Sequence, residues 1–221
     1  MADASVADAV PAVHTVPLPR RPLDPWAPEP CAPAAGPDER ARHWYENDLG
    51  WTIVPGRPLR LLTGVRFDVL DMPAEAGAGA LRHLAPGSPV ALRGDRMELL
   101  VAAGSAEELP GLLDWLEWSA VPLDLRALGA GDALEAPLPP LPGAREAGSV
   151  RGAAVWLRPP WPGREVEASL PALSALGREG SAPDLVRVVD TVAMQCHRVR
   201  LRRACAGPHP AVRRDQPLAF S

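Results

Sequence analysis

The chain contains no lysine, and all 23 of its basic side chains are arginine. A Walker-type phosphate loop, which needs a lysine to reach the phosphates, is therefore excluded. The segment Gly77-Ala78-Gly79 lacks the third glycine of a dinucleotide fingerprint, and no Gly-x-Ser-x-Gly nucleophile elbow occurs. Cysteine is scarce too. Cys31, Cys196 and Cys205 are far apart or near the tail and form no disulfide framework, which points to a reducing compartment and hence the cytoplasm. Cys196, His197, Cys205 and His209 make no zinc site: there is no Cys-x-x-Cys, and neighbours on a helix point about 100° apart. No run approaches the roughly 18 apolar residues of a membrane span. Met1 to Leu18 carry no basic segment followed by an apolar stretch, so secretion is not expected either. A formal charge of −4 argues against nonspecific coating of nucleic acid, while leaving room for a local basic patch.

Alanine, glycine, proline and arginine dominate instead, which reads as the coding bias of a high-GC bacterial genome. A length of 221 residues suits one domain with tails, or at most two small ones. Residues 1–36 alternate Ala, Val, Pro and Asp without a period and are expected to form a disordered, Pro/Ala-rich arm. A domain is expected over residues 37–163. It opens with a helix capped by Asp38 and stopped at Gly50, followed by strands at Trp51 to Val54, Arg60 to Leu62 and Val65 to Leu70. A helix from Ala74 to Leu84 is weakened by Gly77 and Gly79.

Ser88 to Arg93 and Arg96 to Val101 read as a hairpin across Gly94-Asp95. Ser105 and Glu108 make a capping box for a helix with Leu109, Leu112, Leu113 and Leu116 on one stripe. Strands at Val121 to Leu125, Ala133 to Ala136 and Ala153 to Leu157 follow, the last two separated by a loop at Pro137 to Gly143. Residues 164–180 read as a linker. A helix over residues 181–206, with Ser181 as its cap, shows Leu185, Val188, Val189, Val192, Cys196 and Val199 on one face and a basic end. Residues 207–221 read as a flexible tail. The fold class is α+β, a mixed or antiparallel sheet with flanking helices.

The segments Trp44-Tyr45, Leu49 to Pro55, Leu61 to Gly64, Phe67 to Asp71, Gly94 to Arg96 and Leu123 to Arg126 occur in an order that resembles one family. It is the N-terminal domain of bifunctional primase/polymerases, of the archaeo-eukaryotic primase superfamily. The resemblance covers residues 41–160 and implies a primase-polymerase-like fold. It further implies that Asp71 matches the first acid of a strand-borne Asp-x-Asp metal motif and Asp124 a later acid. Pro73 stands at the second acid, and Met97 at a histidine that contacts nucleotide phosphates. Asp68, three positions from Asp71, faces the opposite side. Two-metal phosphoryl chemistry short of a ligand loses most of its rate, so the expectation is a degenerate, non-catalytic member. No metal or cofactor is expected; Mg²⁺ or Mn²⁺ enters only if the chain is a nucleotidyltransferase after all, with Glu98 joining Asp71 and Asp124. Strand parity, which sets Glu98 opposite Met97, argues against that rescue.

Plainer readings stand beside these. Asp71 and Asp124 suit caps or turns after a strand. Arg96 and Arg126 suit a phosphate, an acidic partner, or pairing with neighbouring acids. Between Arg178 and Arg214 lie eight arginines against Glu179, Asp184 and Asp190, so Arg198, Arg202 and Arg203 are candidates for weak nucleic-acid contact or for a dipole-stabilised helix end. Trp115 is expected in the core, with Trp118 and Trp161 at a rim. The function these patterns imply is an interaction or regulatory module with a protein partner. The alternatives are nucleotide transfer, or binding of nucleotide or nucleic acid without turnover.

Overall fold

The computed structural model describes residues 36–140, 153–162, 166–173 and 183–206, all within one compact unit, Ala35–Ser221. The expected arm up to residue 35, the tail at 207–221, most of the loop after Pro140 and the Ser181 cap lie outside the described residues.

The chain enters through α1 (Pro37–His43), which continues as a π-helical turn, Trp44–Asp48. Gly36, not Asp38, occupies the cap position, and Asp38 instead pairs with Arg57 at 3.0 Å. The turn ends before Gly50, whose φ of 65° suits a residue without Cβ. Three strands follow: β1 (Ile53–Val54), β2 (Arg60–Leu62) and β3 (Asp68–Pro73). The third begins later than Val65 because Gly64 (φ 84°) turns the chain and its N–H closes on Phe67 O at 2.9 Å. It then runs on to Pro73, which a strand tolerates at its end.

The helix expected over residues 74–84 is split into α2 (Ala74–Gly77) and a 3₁₀ turn, Ala80–His83. Close packing explains the two glycines. A Cβ on Gly77 would meet Met97 Sδ at 2.3 Å, and one on Gly79 would meet Gln195 Cγ at 3.0 Å. The hairpin forms as expected, β4 (Val90–Arg93) and β5 (Arg96–Val101) turning at Gly94 with φ 61°. Next come α3 (Ser105–Trp115), β6 (Arg126–Leu128), β7 (Ala133–Glu135) and β8 (Val155–Arg158). A 3₁₀ turn, Val166–Ser169, precedes α4 (Leu185–Ala206).

The strands build two antiparallel sheets in the orders β1-β2-β7 and β6-β3-β5-β4-β8, giving an α+β fold with flanking helices. One face of the larger sheet presents Leu70, Met72, Val90, Met97, Leu99 and Val101, and α2, α3 and α4 bury it. The apolar stripe of α4 is the expected one, from Leu185 to Val199, and it packs into this core. The other face presents Val69 and Leu100 to a second core with Tyr45, Trp51, Phe67, Leu61 and Leu134. Residues 164–180, read as a linker, supply that core with buried Val166 and Leu170. Ser88 donates to Ser169 O at 2.6 Å, and Ala102 N–H donates to Pro171 O at 2.9 Å.

One helix is capped from a distant residue and one locally. Ser105 is the first residue of α3 and makes no cap; the carboxylate of Asp68, on β3, accepts from Ala106 N–H at 2.9 Å. Asp184 accepts from Val186 N–H at 3.0 Å at the start of α4. Two turns are also fastened together. Thr63 N–H donates to Asp132 O at 3.1 Å, the Thr63 hydroxyl donates to Gly129 O at 2.6 Å, and a Cβ on Gly64 would sit 2.3 Å from Ala130 Cα.

Candidate functional site

Alternation along β3 sends Leu70 and Met72 to the helices and Asp71 to the other face. Register completes the row there: Asp71 lies opposite Glu98 on β5 and opposite Arg126 on β6, while Glu98 lies opposite Ala91 on β4. The next row holds Pro73, Arg96 and Arg93. One end of this sheet face is therefore ionic, beside a core that is otherwise apolar.

The ionic groups neutralise one another. Arg96 Nε donates to Asp71 Oδ1 at 2.8 Å and its Nη1 donates to Asp124 Oδ1 at 2.6 Å, so one guanidinium spans both candidate carboxylates. Arg93 Nε donates to Glu98 Oε1 at 2.8 Å. Arg203, on α4, approaches Asp124 Oδ2 at 3.9 Å. Burial is the largest single influence on Arg96 and lowers its pKa. The hydrogen bonds and charges of Asp71 and Asp124 together outweigh it, and the guanidinium is held well above its ordinary range. Arg93 is likewise raised, chiefly by its hydrogen bond to Glu98.

Glu98 is the exceptional member, 1% exposed. Burial raises its pKa, the Arg93 hydrogen bond and charge oppose that, and the charges of Asp71 and Glu135 add to it. Its Oε2 and the Arg96 Nη2 are buried with no hydrogen-bond partner.

The candidate residues are thus placed as follows. Asp71 is buried in the middle of β3. Asp124 is not on a strand; it sits in a bend just before β6, because the strand expected at Val121 to Leu125 starts only at Arg126. Arg96 joins the two. Arg126 is exposed and makes no side-chain ion pair among the described residues. Arg202 pairs with Glu75 at 2.6 Å, Arg200 Nη1 donates to Pro122 O at 3.4 Å, and Arg198 is exposed with no ion-pair partner among the described residues. The basic helix end is partly spent on contacts within the domain.

Strand parity does not separate Glu98 from Asp71, contrary to expectation. Glu98 does face away from Met97, but it is Met97 that turns to the helices, opposite Met72, so Glu98 shares the face of Asp71. Asp68 faces the helices, as expected from its spacing, and spends one oxygen on α3. Arg93 and Glu135 are not among the expected residues, and Glu98 is set aside there on parity: register puts Glu98 opposite Asp71 and Arg93 opposite Arg96, while Glu135, on β7 of the smaller sheet, adds its charge to Glu98.

The residues do not fit a two-metal centre. The near oxygens of Asp71 and Asp124 both accept from Arg96, and Pro73 offers no ligand. Among the described residues no group of three or more His, Cys, Asp or Glu side chains is arranged to hold a metal ion. Cys196 is buried under Asp124, its Sγ 3.7 Å from Asp124 O, and burial with the nearby carboxylate pushes its thiol up to about 11, far from nucleophilic form at neutral pH.

A cleft of about 220 Å³ is lined by Asp38, Arg57, Leu59, Glu135 and Leu138 among others, and none of Asp71, Arg96, Glu98, Asp124, Arg126 or the α4 arginines borders it. No helix among the described residues is long and apolar enough to cross a membrane. No family model, curated protein or solved structure matches the chain.

Proposed function

We propose that the chain is a catalytically degenerate primase-polymerase-like protein that serves as an interaction or regulatory module, bound to a protein partner, in a bacterial cytoplasm. The observation that carries the reading is the Arg96 guanidinium seated between Asp71 and Asp124. A tethered cation has a high effective concentration, so a dissolved divalent ion competes poorly for the same oxygens. Leaving those oxygens would also strand the buried Asp71 charge. The succession of helix, strands, hairpin, helix and later strands supports the family resemblance. Unpaired Cys196 and Cys205 suit a reducing compartment.

Template-dependent primer synthesis with Mg²⁺ or Mn²⁺ is the test. The expected product does not exceed that of Asp71→Ala. Synthesis that disappears in Asp71→Ala would sink the reading.

One observation favours a second reading, metal-dependent nucleotide transfer at a remodelled site: Asp71 and Glu98 are cross-strand neighbours, and Glu98 Oε2 has no partner. That reading requires Arg96 to swing away. Binding without turnover would draw on Arg126 and Arg198. Thermal shift with nucleoside triphosphates and short single-stranded DNA separates it, because a shift abolished by Arg126→Ala or Arg198→Ala marks a ligand site.

A further inference from the structure

The outer surfaces of α3 and α4 carry opposite charges. From Ser105 to Leu125 there is no basic residue, and Glu107, Glu108, Asp114 and Glu117 are all exposed. None of the four enters an ion pair among the described residues. Beyond Asp190, α4 has no acid, and its open stripe carries Arg198, Leu201 and Arg202, with Arg187 three turns earlier on the same side; Arg202 also meets Glu75 at 2.6 Å and Arg187 lies 3.7 Å from Asp184, and both stay largely exposed.

The two surfaces adjoin. The indole N–H of Trp118, just past α3, donates to Asp190 at 3.0 Å, and its ring lies 6.0 Å from that of His197. Large apolar groups flank this junction: Trp115, at the end of α3, is 71% exposed, and Leu201, one turn beyond His197, is 50% exposed.

We propose that this face is a self-association surface, on which two copies of the chain pair about a two-fold axis. A two-fold interface must complement itself, so the patch needs both charges, one on each side of the axis. Here the acidic flank and the basic flank lie on either side of the Trp118–His197 junction. Half a turn about that junction lays α3 of each copy on α4 of the other, with both Trp115 side chains near the centre. Nucleic acid suits the surface poorly, since the acids of α3 border the arginines it would need. A partner of one sign would leave half the patch unmatched. The proposal concerns a surface distinct from the carboxylate cluster and stands whether or not that cluster is catalytic.

Sedimentation velocity of the full chain over a range of concentrations, at low and high salt, tests it. Wild type is expected to form dimers that weaken as salt rises. Trp115→Asp should weaken pairing by more than about tenfold, as for a central aromatic anchor. Two charge-reversed variants sharpen the result: Glu107→Arg/Glu108→Arg/Asp114→Arg/Glu117→Arg makes both flanks basic, and Arg187→Glu/Arg198→Glu turns the basic flank acidic save for Arg202, which is already paired with Glu75. Each alone should be monomeric, and an equimolar mixture should pair, an outcome that misfolding does not produce. Wild type that stays monomeric throughout, or dimers untouched by these substitutions, would overturn the proposal.

Discussion

The two faces of the five-stranded sheet are built from alternate residues of the same strands, yet they solve different problems. On the helix face Leu70, Met72, Met97 and Leu99 meet α2, α3 and α4, and among the buried strand residues of that face only Asp68, which caps α3, is charged. The opposite face begins the same way at Val69 and Leu100, and then gives way to Asp71, Glu98, Arg93 and Arg96. Helices can exclude water with side chains of the right volume. An ionic patch must instead supply every charge with a partner, and its stability is correspondingly fragile. An alternation of strand residues is therefore enough to separate a tolerant core from an intolerant one only one residue away.

The largest way to break the comparison is Arg96→Ala. It strands Asp71, which is 6% exposed, and should cost about 3–5 kcal/mol in urea unfolding. The double variant Arg96→Ala/Asp71→Ala should recover part of that loss, since the buried charge goes with its partner. On the helix face Leu99→Ala should cost about 2–5 kcal/mol, through lost burial and the cavity left behind. No second substitution on the ionic face should rescue it.

Glu98→Gln comes next and has a sign that depends on pH. Because the folded-state pKa of Glu98 is raised, the folded protein binds its proton more tightly than the unfolded chain. That contribution is complete below the ordinary glutamate range and is lost as pH rises through the elevated folded value. The stability of Glu98→Gln relative to wild type should therefore climb as pH rises from the ordinary glutamate range towards neutrality. Unfolding curves at several pH values check this; a difference that does not vary with pH would remove burial as the dominant influence. The smallest effect belongs to Asp68→Ala, which uncaps α3 and should cost about 1 kcal/mol.

What could be read from the sequence was whatever neighbouring residues decide. Gly94-Asp95 marks a two-residue turn, so the ends of β4 and β5 follow from it, and the apolar stripe of α4 is visible in its spacing. Long-range pairing was not legible. The Ser105 and Glu108 box is locally persuasive, but a carboxylate from β3 does the capping. Trp115 looks like core because it follows a run of leucines; the chain instead reverses at Glu117, with φ 63°, and Trp118 is the indole that reaches α4. At the candidate site, Asp71, Asp124 and Arg96 could be named from the chain, yet that Arg96 would join the two acids depends on β6 lying beside β3. Glu98 becomes a neighbour of Asp71 only once the register is fixed.

The fastening of the Thr63-Gly64 turn to residues 129–132 has a consequence for how this protein can vary. With Ala130 Cα 2.3 Å from where a Cβ on Gly64 would stand, neither turn is free to drift alone, although some sixty-five positions separate them. In a mutational library the two would behave as a single locus: substitutions at Gly64 would be purged whatever side chain is offered, and insertions between Gly129 and Asp132 would survive only where that contact is preserved.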